Sequence, residues 1–154
     1  MVTKKSAPPE RQSWLLLLYK IPPEPTSGRV YVWRKLKALG AILLHDSAWV
    51  LPATARTREA LRWLSVEIDE RGGEALVWDA RQMPPADDAA LVQQFRAQAE
   101  AGYAEVLHAL AQPDPDLAAI SRRYQQVRNQ DYFNSPMSQA ARAALLAAQE
   151  DRQP

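Results

Sequence analysis

The chain has 154 residues, a length that suits one domain with an appendage and can bury a core without disulfides. It contains no cysteine, which excludes thiol redox chemistry, cysteine metal sites and a disulfide scaffold. The net charge is only +1, but residues 1–72 carry 12 Lys and Arg against 7 Asp and Glu, whereas residues 73–154 carry 7 against 11. Any polyanion is therefore expected to meet the first half of the chain.

The chain begins with a polar, proline-bearing segment at residues 1–13, which predicts a flexible tail. The apolar run SWLLLLYKIPP then occupies residues 13–23. The run is too short for a transmembrane helix, which needs about 20 apolar residues, and no signal-peptide cleavage site follows it. A short apolar run ended by prolines is typical of a central strand covered on both faces. We therefore expect residues 14–21 to form the first, central strand of a cytoplasmic protein.

A first helix is predicted over residues 28–39, because apolar residues recur there at helical spacing and Gly40 follows as a natural C-terminal glycine. Arg34 and Lys37 are expected on its outer side. The side expected to face the sheet carries Val32, Trp33, Leu36 and Leu39.

Two short apolar runs follow at residues 41–45 and 48–51, and their spacing predicts a hairpin, although no glycine marks the turn. A second helix is predicted from an N-cap at Thr57 to Gly72-Gly73, with a buried stripe of Leu61, Leu64 and Ile68. A fourth strand is predicted at residues 74–79.

The order strand, helix, strand, strand, helix, strand is that of the ferredoxin-like βαββαβ arrangement, an α+β fold with two helices on one face of a four-stranded antiparallel sheet. We place this domain at residues 14–82. Residues 83–150 show helical spacing and predict an extension of about three helices packed on the domain. Three tryptophans are expected in the core: Trp14, Trp49 and Trp78.

Several spaced segments together resemble the N-terminal domain of ChrB chromate-resistance proteins. They are WLLLLYKIPPEPTSGRVYVWRKLKALGAILLHDSAWVLPAT, then GGEALVW, and Arg-Tyr-x-x-Val-Arg-x-x-Asp-Tyr-Phe at residues 123–133. The first part is more distantly similar to the C-terminal domain of PaaX-type repressors, which is itself similar to small CRISPR-associated ferredoxin-like dimers. The resemblance covers roughly residues 13–150.

This resemblance implies a bacterial DNA-binding transcriptional regulator of chromate resistance that chromate releases from DNA. For such a regulator we expect a homodimer, formed through the sheet edge or the helical extension. The chain departs from the family in two places. It ends at Pro154, where ChrB proteins usually continue into a chromate-linked domain, and it has Asn134 where many relatives have proline. The missing domain is expected either to be absent or to come from a separate protein.

Basic residues of the two predicted helices are the candidate DNA-binding site, because Lys and Arg neutralise phosphates and Arg also reads guanine edges. For each residue alone the competing explanation is an ordinary charged helix surface exposed to solvent. The candidates are Arg29, Arg34, Lys35, Lys37, Arg56, Arg58 and Arg62.

Chromate is a tetrahedral dianion for which guanidinium groups are natural hosts. The candidate oxyanion site is Arg122, Arg123 and Arg128, for which an exposed helix face with side-chain pairing is the simpler explanation. With no cysteine to reduce chromate, we expect binding without chemistry. No cofactor and no metal site are predicted, because His45 and His108 lack a second ligand at helical spacing.

Two alternatives to a DNA-binding regulator remain open. One is a non-enzymatic accessory module that docks a partner protein carrying the chromate-responsive domain. The other is a metal-dependent nuclease, which would need an aspartate at the end of the first strand, where the chain has Lys20 and Ile21. We therefore expect no enzymatic activity.

Overall fold

The structure, a computed structural model, describes residues 12–154. The predicted flexible tail lies outside the described residues except at its last two positions. The described chain forms β1 (Trp14–Lys20), α1 (Thr26–Leu39), β2 (Ile42–Leu44), β3 (Ala48–Pro52), α2 (Ala55–Glu70), β4 (Glu74–Ala80), α3 (Ala89–Leu110), α4 (Leu117–Gln130) and α5 (Met137–Glu150). No helix within this part of the chain is long and apolar enough to cross a bilayer.

The four strands form one antiparallel sheet in the order β2-β3-β1-β4, which confirms the ferredoxin-like α+β fold with C-terminal helices. β1 lies inside the sheet, with Leu15 opposite Leu51 of β3 and Asp79 of β4. The apolar run near the start is therefore interior β structure, as its composition and terminal prolines predicted. The domain boundaries at residues 13/14 and 82/83 stay predictions.

The two faces of β1 are covered unequally. Leu15 and Leu17 are fully buried on the face that packs against α1 and α2. On the other face Trp14 is buried beneath α3, but Leu18 is 39% exposed. Full coverage of both faces, as expected from the unbroken apolar run, holds only at the Trp14 end of the strand.

The expected core position of Trp78 is wrong, because 55% of this residue is exposed. Trp78 belongs to β4, the terminal strand of the sheet, and therefore has a neighbouring strand on one side only. Its cross-strand partner is Leu16, next to the end of the sheet that α3 covers. Trp14 and Trp49 are buried as expected, at 2% and 8% exposure.

The β2–β3 hairpin turns at His45 and Asp46, which have φ angles of 48° and 58°. Positive φ at both central residues is the pattern of a type I′ turn, whose twist matches that of the flanking strands. The Ser47 amide donates to the Leu44 carbonyl at 3.0 Å and closes the turn. Aspartate tolerates this left-handed backbone better than most residues, so the hairpin forms without glycine.

Helix boundaries differ from the expected ones by a few residues. α2 begins after Thr54 and not after Thr57. Thr57 is the third residue of the helix and forms a capping box with Thr54, in which each side chain accepts from the other residue's amide. The Thr57 hydroxyl also donates to the Pro52 carbonyl at 2.6 Å, so both threonines fasten α2 to the end of β3. Gly40 ends α1 with φ 78°, as expected.

The three C-terminal helices have a core of their own, in which the buried rings of Tyr103 and Tyr124 lie 6.0 Å apart. An aromatic cluster joins these helices to the sheet. Trp14 of β1 stacks on Phe95 of α3 at 5.7 Å between ring centroids. Phe133 lies 6.1 Å from each of these two rings, and Tyr132 meets Phe95 edge-on at 5.9 Å. Such contacts between large rings make the helices and the sheet mutually dependent.

Candidate nucleic-acid interface

The outer surface of α1 is the most strongly basic element of the fold. Its sequence, TSGRVYVWRKLKAL, contains four Lys or Arg and no Asp or Glu. Val32 and Leu36 are fully buried against the sheet. The opposite side presents Arg29 and the residues one, four, five and eight positions after it, which share a helical face. These residues, called the α1 stripe below, are Arg29, Val30, Trp33, Arg34 and Lys37, all of them exposed.

Trp33 does not face the sheet as expected from its helical spacing, since 52% of it is exposed. Gly28, Val32 and Leu36, each four residues apart, define the buried side of α1. Trp33 follows Val32 directly and is therefore rotated by about 100° from it toward solvent. The indole consequently lies among the cations of the α1 stripe, where it offers a flat stacking surface.

The cations of the α1 stripe have no anionic partner within residues 12–154. No hydrogen bond or ion pair joins the side chains of Arg29, Arg34 or Lys37 to another described residue. Within the described part of the chain no carboxylate neutralises their charge, so an external anion would not have to displace one of these carboxylates.

The C-terminal end of α1 is held by the segment that ends α4. The Gln130 amide donates to the carbonyls of Lys37 and Ala38 at 3.2 and 2.9 Å, and the Tyr132 hydroxyl donates to that of Leu39 at 2.5 Å. These bonds occupy carbonyls that a helix end otherwise leaves unpaired. Burial raises the pKa of Tyr132, so its hydroxyl stays protonated and able to donate.

Lys35 lies to the side of the α1 stripe. It lines a groove between α1 and α2 together with Trp63 and Glu67. Its ammonium group is 5.4 Å from the centre of the Tyr31 ring, over which the Arg71 guanidinium also lies at 4.1 Å. The Lys35–Tyr31 contact lies within α1, whereas the Arg71–Tyr31 cation–π contact joins α1 to the residue that follows α2.

Two further candidates, Arg58 and Arg62, lie on the side of α2 that faces β4. Arg58 forms a two-pronged ion pair with Asp79, at 2.9 Å from Nη1 to Oδ2 and 2.5 Å from Nη2 to Oδ1. The hydrogen bond from Arg58 holds the pKa of Asp79 below its ordinary value. Arg62 approaches Glu59 at 4.0 Å. Both guanidinium groups are therefore partly neutralised by nearby carboxylates.

Arg56 is engaged in the packing of α2 against the C-terminal helices. Its guanidinium donates to the Asn129 carbonyl and lies 5.4 Å from the centre of the Tyr132 ring. The seven candidates thus separate into three groups. Arg29, Arg34 and Lys37 lie together without hydrogen-bond or ion-pair partners among residues 12–154. Lys35 flanks them, and the three arginines of α2 have partners of their own.

The three oxyanion candidates on α4 do not converge. Arg123 donates through Nε and Nη2 to one carboxylate oxygen of Glu105, at 3.1 and 2.8 Å, and through Nη1 to Gln126. Arg128 approaches the Tyr124 hydroxyl at 3.5 Å, and Arg122 is exposed. Because Arg122 and Arg128 are six residues apart, they point about 120° away from each other. The structure therefore offers no enclosed pocket formed by all three.

The end of β1, where a metal-dependent nuclease would need an aspartate, carries an exposed ion pair. Lys20 lies 3.4 Å from Glu74 of β4. Within residues 12–154, no group of three His, Asp or Glu side chains is placed to hold a metal ion.

Sequence reasoning placed Trp33 on the side of α1 that faces the sheet but left open that a helix edge presents it together with Arg34, and the structure adds it to the α1 stripe. The available signal was its position between Val32 and Arg34 in a helix without acidic residues. An aromatic side chain flanked by cations and not needed for the core is a common feature of nucleic-acid surfaces.

The part of the chain that contains the α1 stripe also matches a known protein family. Residues 29–114 match the family model described as Protein ChrB, N-terminal, and these residues include the whole α1 stripe. Protein ChrB of Cupriavidus metallidurans is 28% identical over 145 residues, an alignment that covers 86% of this chain and 44% of that protein. The chain therefore spans less than half the length of this curated relative. No solved structure matches the chain.

Proposed function

The chain belongs to the ChrB family, and from this premise we propose that it is a DNA-binding transcriptional regulator associated with chromate resistance. The family is associated with chromate resistance as a whole, and this relationship supports the same association here. DNA binding by this chain is the finer part of the proposal. The proposal also includes a cytoplasmic location and a role without catalysis or a cofactor.

The observation that carries the proposal is the α1 stripe. Affinity for DNA comes largely from cations that neutralise phosphates and release condensed counterions. Arg29, Arg34 and Lys37 are exposed, lie on one helical face and have no anionic partner among the described residues. A helix with this face can lie along a groove, with Trp33 packed against sugars or bases.

Chromate is proposed to act as the effector that releases the protein from DNA. The chain contains no cysteine that could reduce chromate, so the proposed action is binding of the dianion. Arg122 and Arg128 are the α4 guanidinium groups that have no carboxylate partner within residues 12–154, whereas Arg123 already has Glu105. Because these two point about 120° apart, each is proposed as a separate contact for one oxyanion, not as halves of a shared site.

The proposal is tested with a fluorescent duplex that carries the region upstream of the protein's own gene. The variant Arg34→Gln/Lys37→Gln removes two cations of the α1 stripe, and Arg58→Gln/Arg62→Gln removes two cations outside it. We expect the first variant to bind at least about tenfold more weakly, because two phosphate contacts are lost. The second variant should bind within about twofold of the original protein.

Chromate is added to the preformed complex, with sulfate as a matched tetrahedral dianion at the same ionic strength. Release by chromate at concentrations where sulfate has no effect supports the effector role. Equal release by both anions would show that ionic strength causes the release and that chromate is not a specific effector. Failure of the protein to bind this duplex better than an unrelated one would overturn the proposal of a transcriptional regulator.

The second candidate function is an accessory module that docks a protein carrying a chromate-responsive domain. It is favoured by the apolar side chains that the sheet leaves exposed, Leu18, Leu76 and Trp78. Absence of any DNA binding, combined with complex formation between this protein and such a partner in gel filtration, would favour this function over the first.

A further inference from the structure

β4 is an edge of the sheet formed by residues 12–154, and it lacks the bulge, proline and lysine that commonly prevent an edge strand from pairing. It is the terminal strand on its side of the sheet and pairs with β1 without a bulge along seven consecutive residues, from Glu74 to Ala80. It contains no proline and no lysine. Its alternate N–H and C=O groups point away from β1, which makes it a template for another strand. The opposite edge, β2, has only three residues.

The side chains of β4 are apolar in the middle and exposed on both faces. Leu76 and Trp78 are 58% and 55% exposed on the face opposite α1 and α2, and Val77 is 40% exposed on the other face. The charged residues Glu74 and Asp79 lie toward the two ends. A solvated edge strand would be expected to carry charges at its centre, so this distribution points to a covered edge.

We propose that β4 pairs antiparallel with β4 of a second copy of this chain, centred on Val77, and so forms a continuous eight-stranded sheet. This register brings Val77 opposite its own symmetry mate. On the other face it brings Leu76 opposite Trp78 of the partner subunit, twice. Aliphatic–aromatic cross-strand pairs are among those that stabilise antiparallel sheets most.

The charges along α2 are complementary under the same two-fold operation. Arg58 and Arg62 lie beside Val77 and Asp79, so this side of α2 faces the β4 edge. Asp69 lies seven residues after Arg62 and shares its side of the helix. Pairing of the two β4 strands sets the two α2 helices antiparallel, so the Arg58 end of one lies near the Asp69 end of the other. Asp69 of each copy therefore approaches the Arg58–Asp79 ion pair of the other copy, which places a carboxylate near a guanidinium group on each side of the interface.

A second copy is the occupant that these features favour, because one segment supplies both the apolar centre and its complement. An isologous interface requires this kind of self-complementary patch. The inference does not depend on DNA binding and concerns a surface distinct from the α1 stripe.

The test uses the full chain and two substitutions at Val77. Light scattering coupled to gel filtration, at about 100 μM protein, should give the mass of a dimer. Val77→Lys places two like charges opposite each other and should yield a folded monomer, with an unchanged circular dichroism spectrum. Leu146→Lys is the matched control, since it adds the same charge to α5 at a residue with similar exposure, 47%. It should stay dimeric.

A second measurement identifies the interface even if Val77→Lys fails to fold. The chain has no cysteine, so Val77→Cys introduces a single thiol, which should form an intermolecular disulfide under mild oxidation. Val30→Cys, at a residue of similar exposure on α1, should not. A monomeric protein would overturn the proposal. So would a dimer that Val77→Cys does not crosslink, because the copies would then associate through another surface.

Discussion

The indole N–H of Trp14 donates to Oδ1 of Asp88 at 2.8 Å, and Oδ2 of the same carboxylate accepts from the amide of Gln12 at 2.9 Å. Asp88 immediately precedes α3, so one side chain ties the start of the first strand to the start of the C-terminal helices. Trp14 is only 2% exposed, so removal of this acceptor would leave its N–H without its protein partner.

We predict that Asp88→Ala lowers the free energy of unfolding by about 1–3 kcal/mol, the cost of leaving a buried donor unpaired. Urea unfolding monitored by tryptophan fluorescence measures it. Asp151→Ala is the control, since Asp151 is exposed just after α5, and it should change stability by less than about 0.5 kcal/mol. Equal stability of the two variants would contradict a role for the Trp14–Asp88 bond.

The close contact between α3 and α4 depends on a residue without a side chain. A Cβ added at Gly102 would lie 2.7 and 2.8 Å from the two Cγ atoms of Val127, closer than real Cβ contacts come. We predict that Gly102→Ala destabilises the protein by about 1–3 kcal/mol through overpacking, despite the helix propensity of alanine. The midpoint of chemical unfolding measures this effect.

Gly28→Ala is the matched control for Gly102→Ala, since both glycines lie in helices. The nearest atom to a Cβ at Gly28 is Cδ1 of Ile21, at 3.2 Å, and it is the flexible end of a side chain. This variant should be neutral or more stable by up to about 1 kcal/mol. Restoration of stability by Val127→Ala in the Gly102→Ala background would confirm the steric cause.

Stability at alkaline pH should depend on Tyr103. Burial, followed by the 2.8 Å hydrogen bond to Asp131, raises the pKa of Tyr103 well above its ordinary value of 10.0. The folded state therefore holds the phenol proton more tightly than the unfolded chain does. The resulting stability is fully present below pH 10 and decreases as the pH rises above it.

We predict that the difference in stability between pH 8 and pH 11 is smaller for Tyr103→Phe than for the original protein, because the variant has no proton to lose at that site. Urea unfolding at the two pH values measures the difference. Tyr31→Phe, on the surface of α1, should retain the pH dependence of the original protein. Identical pH dependence in Tyr103→Phe would show that other groups, such as Tyr132, dominate.

The contribution of single cations of the α1 stripe can be separated by salt titration. If Lys37 contacts a phosphate, Lys37→Gln should lower the slope of log affinity against log salt concentration by about 0.9. Fluorescence anisotropy with the upstream duplex at several salt concentrations provides the slopes. Lys20→Gln is the control, because Lys20 is an exposed lysine paired with Glu74 on the sheet. A slope unchanged in Lys37→Gln would remove Lys37 from the interface.

The fold could be predicted where hydrophobic pattern alone determines structure. The run ending at Pro22 is an interior strand, and Leu61, Leu64 and Ile68 are buried on α2 as their spacing predicts. Trp78 could not be placed in this way. A strand's composition indicates that it can be buried, but its exposure depends on which neighbours cover it, and β4 is an edge.

In the candidate site too, the sequence predicts which residue types are present but not which distant residues they contact. Sequence identifies the basic residues of α1 and α2 but not their partners. Arg58 meets Asp79 and Arg56 meets Tyr132, and both partners lie far along the chain. Arg123 likewise meets Glu105 of another helix. Only the arrangement of the elements distinguishes these occupied guanidinium groups from the unpaired cations of the α1 stripe.

The hydrogen bonds from Gln130 and Tyr132 to the last carbonyls of α1 fix the C-terminal end of that helix to the end of α4. A ligand that rotates or withdraws the end of α4 must either break three hydrogen bonds or drag Lys37 with it. The α4 helix that carries Arg122 and Arg128 is thus mechanically joined to the α1 stripe through backbone oxygens. Under the proposed function, an effector bound at α4 would therefore have a direct route by which to move the α1 stripe.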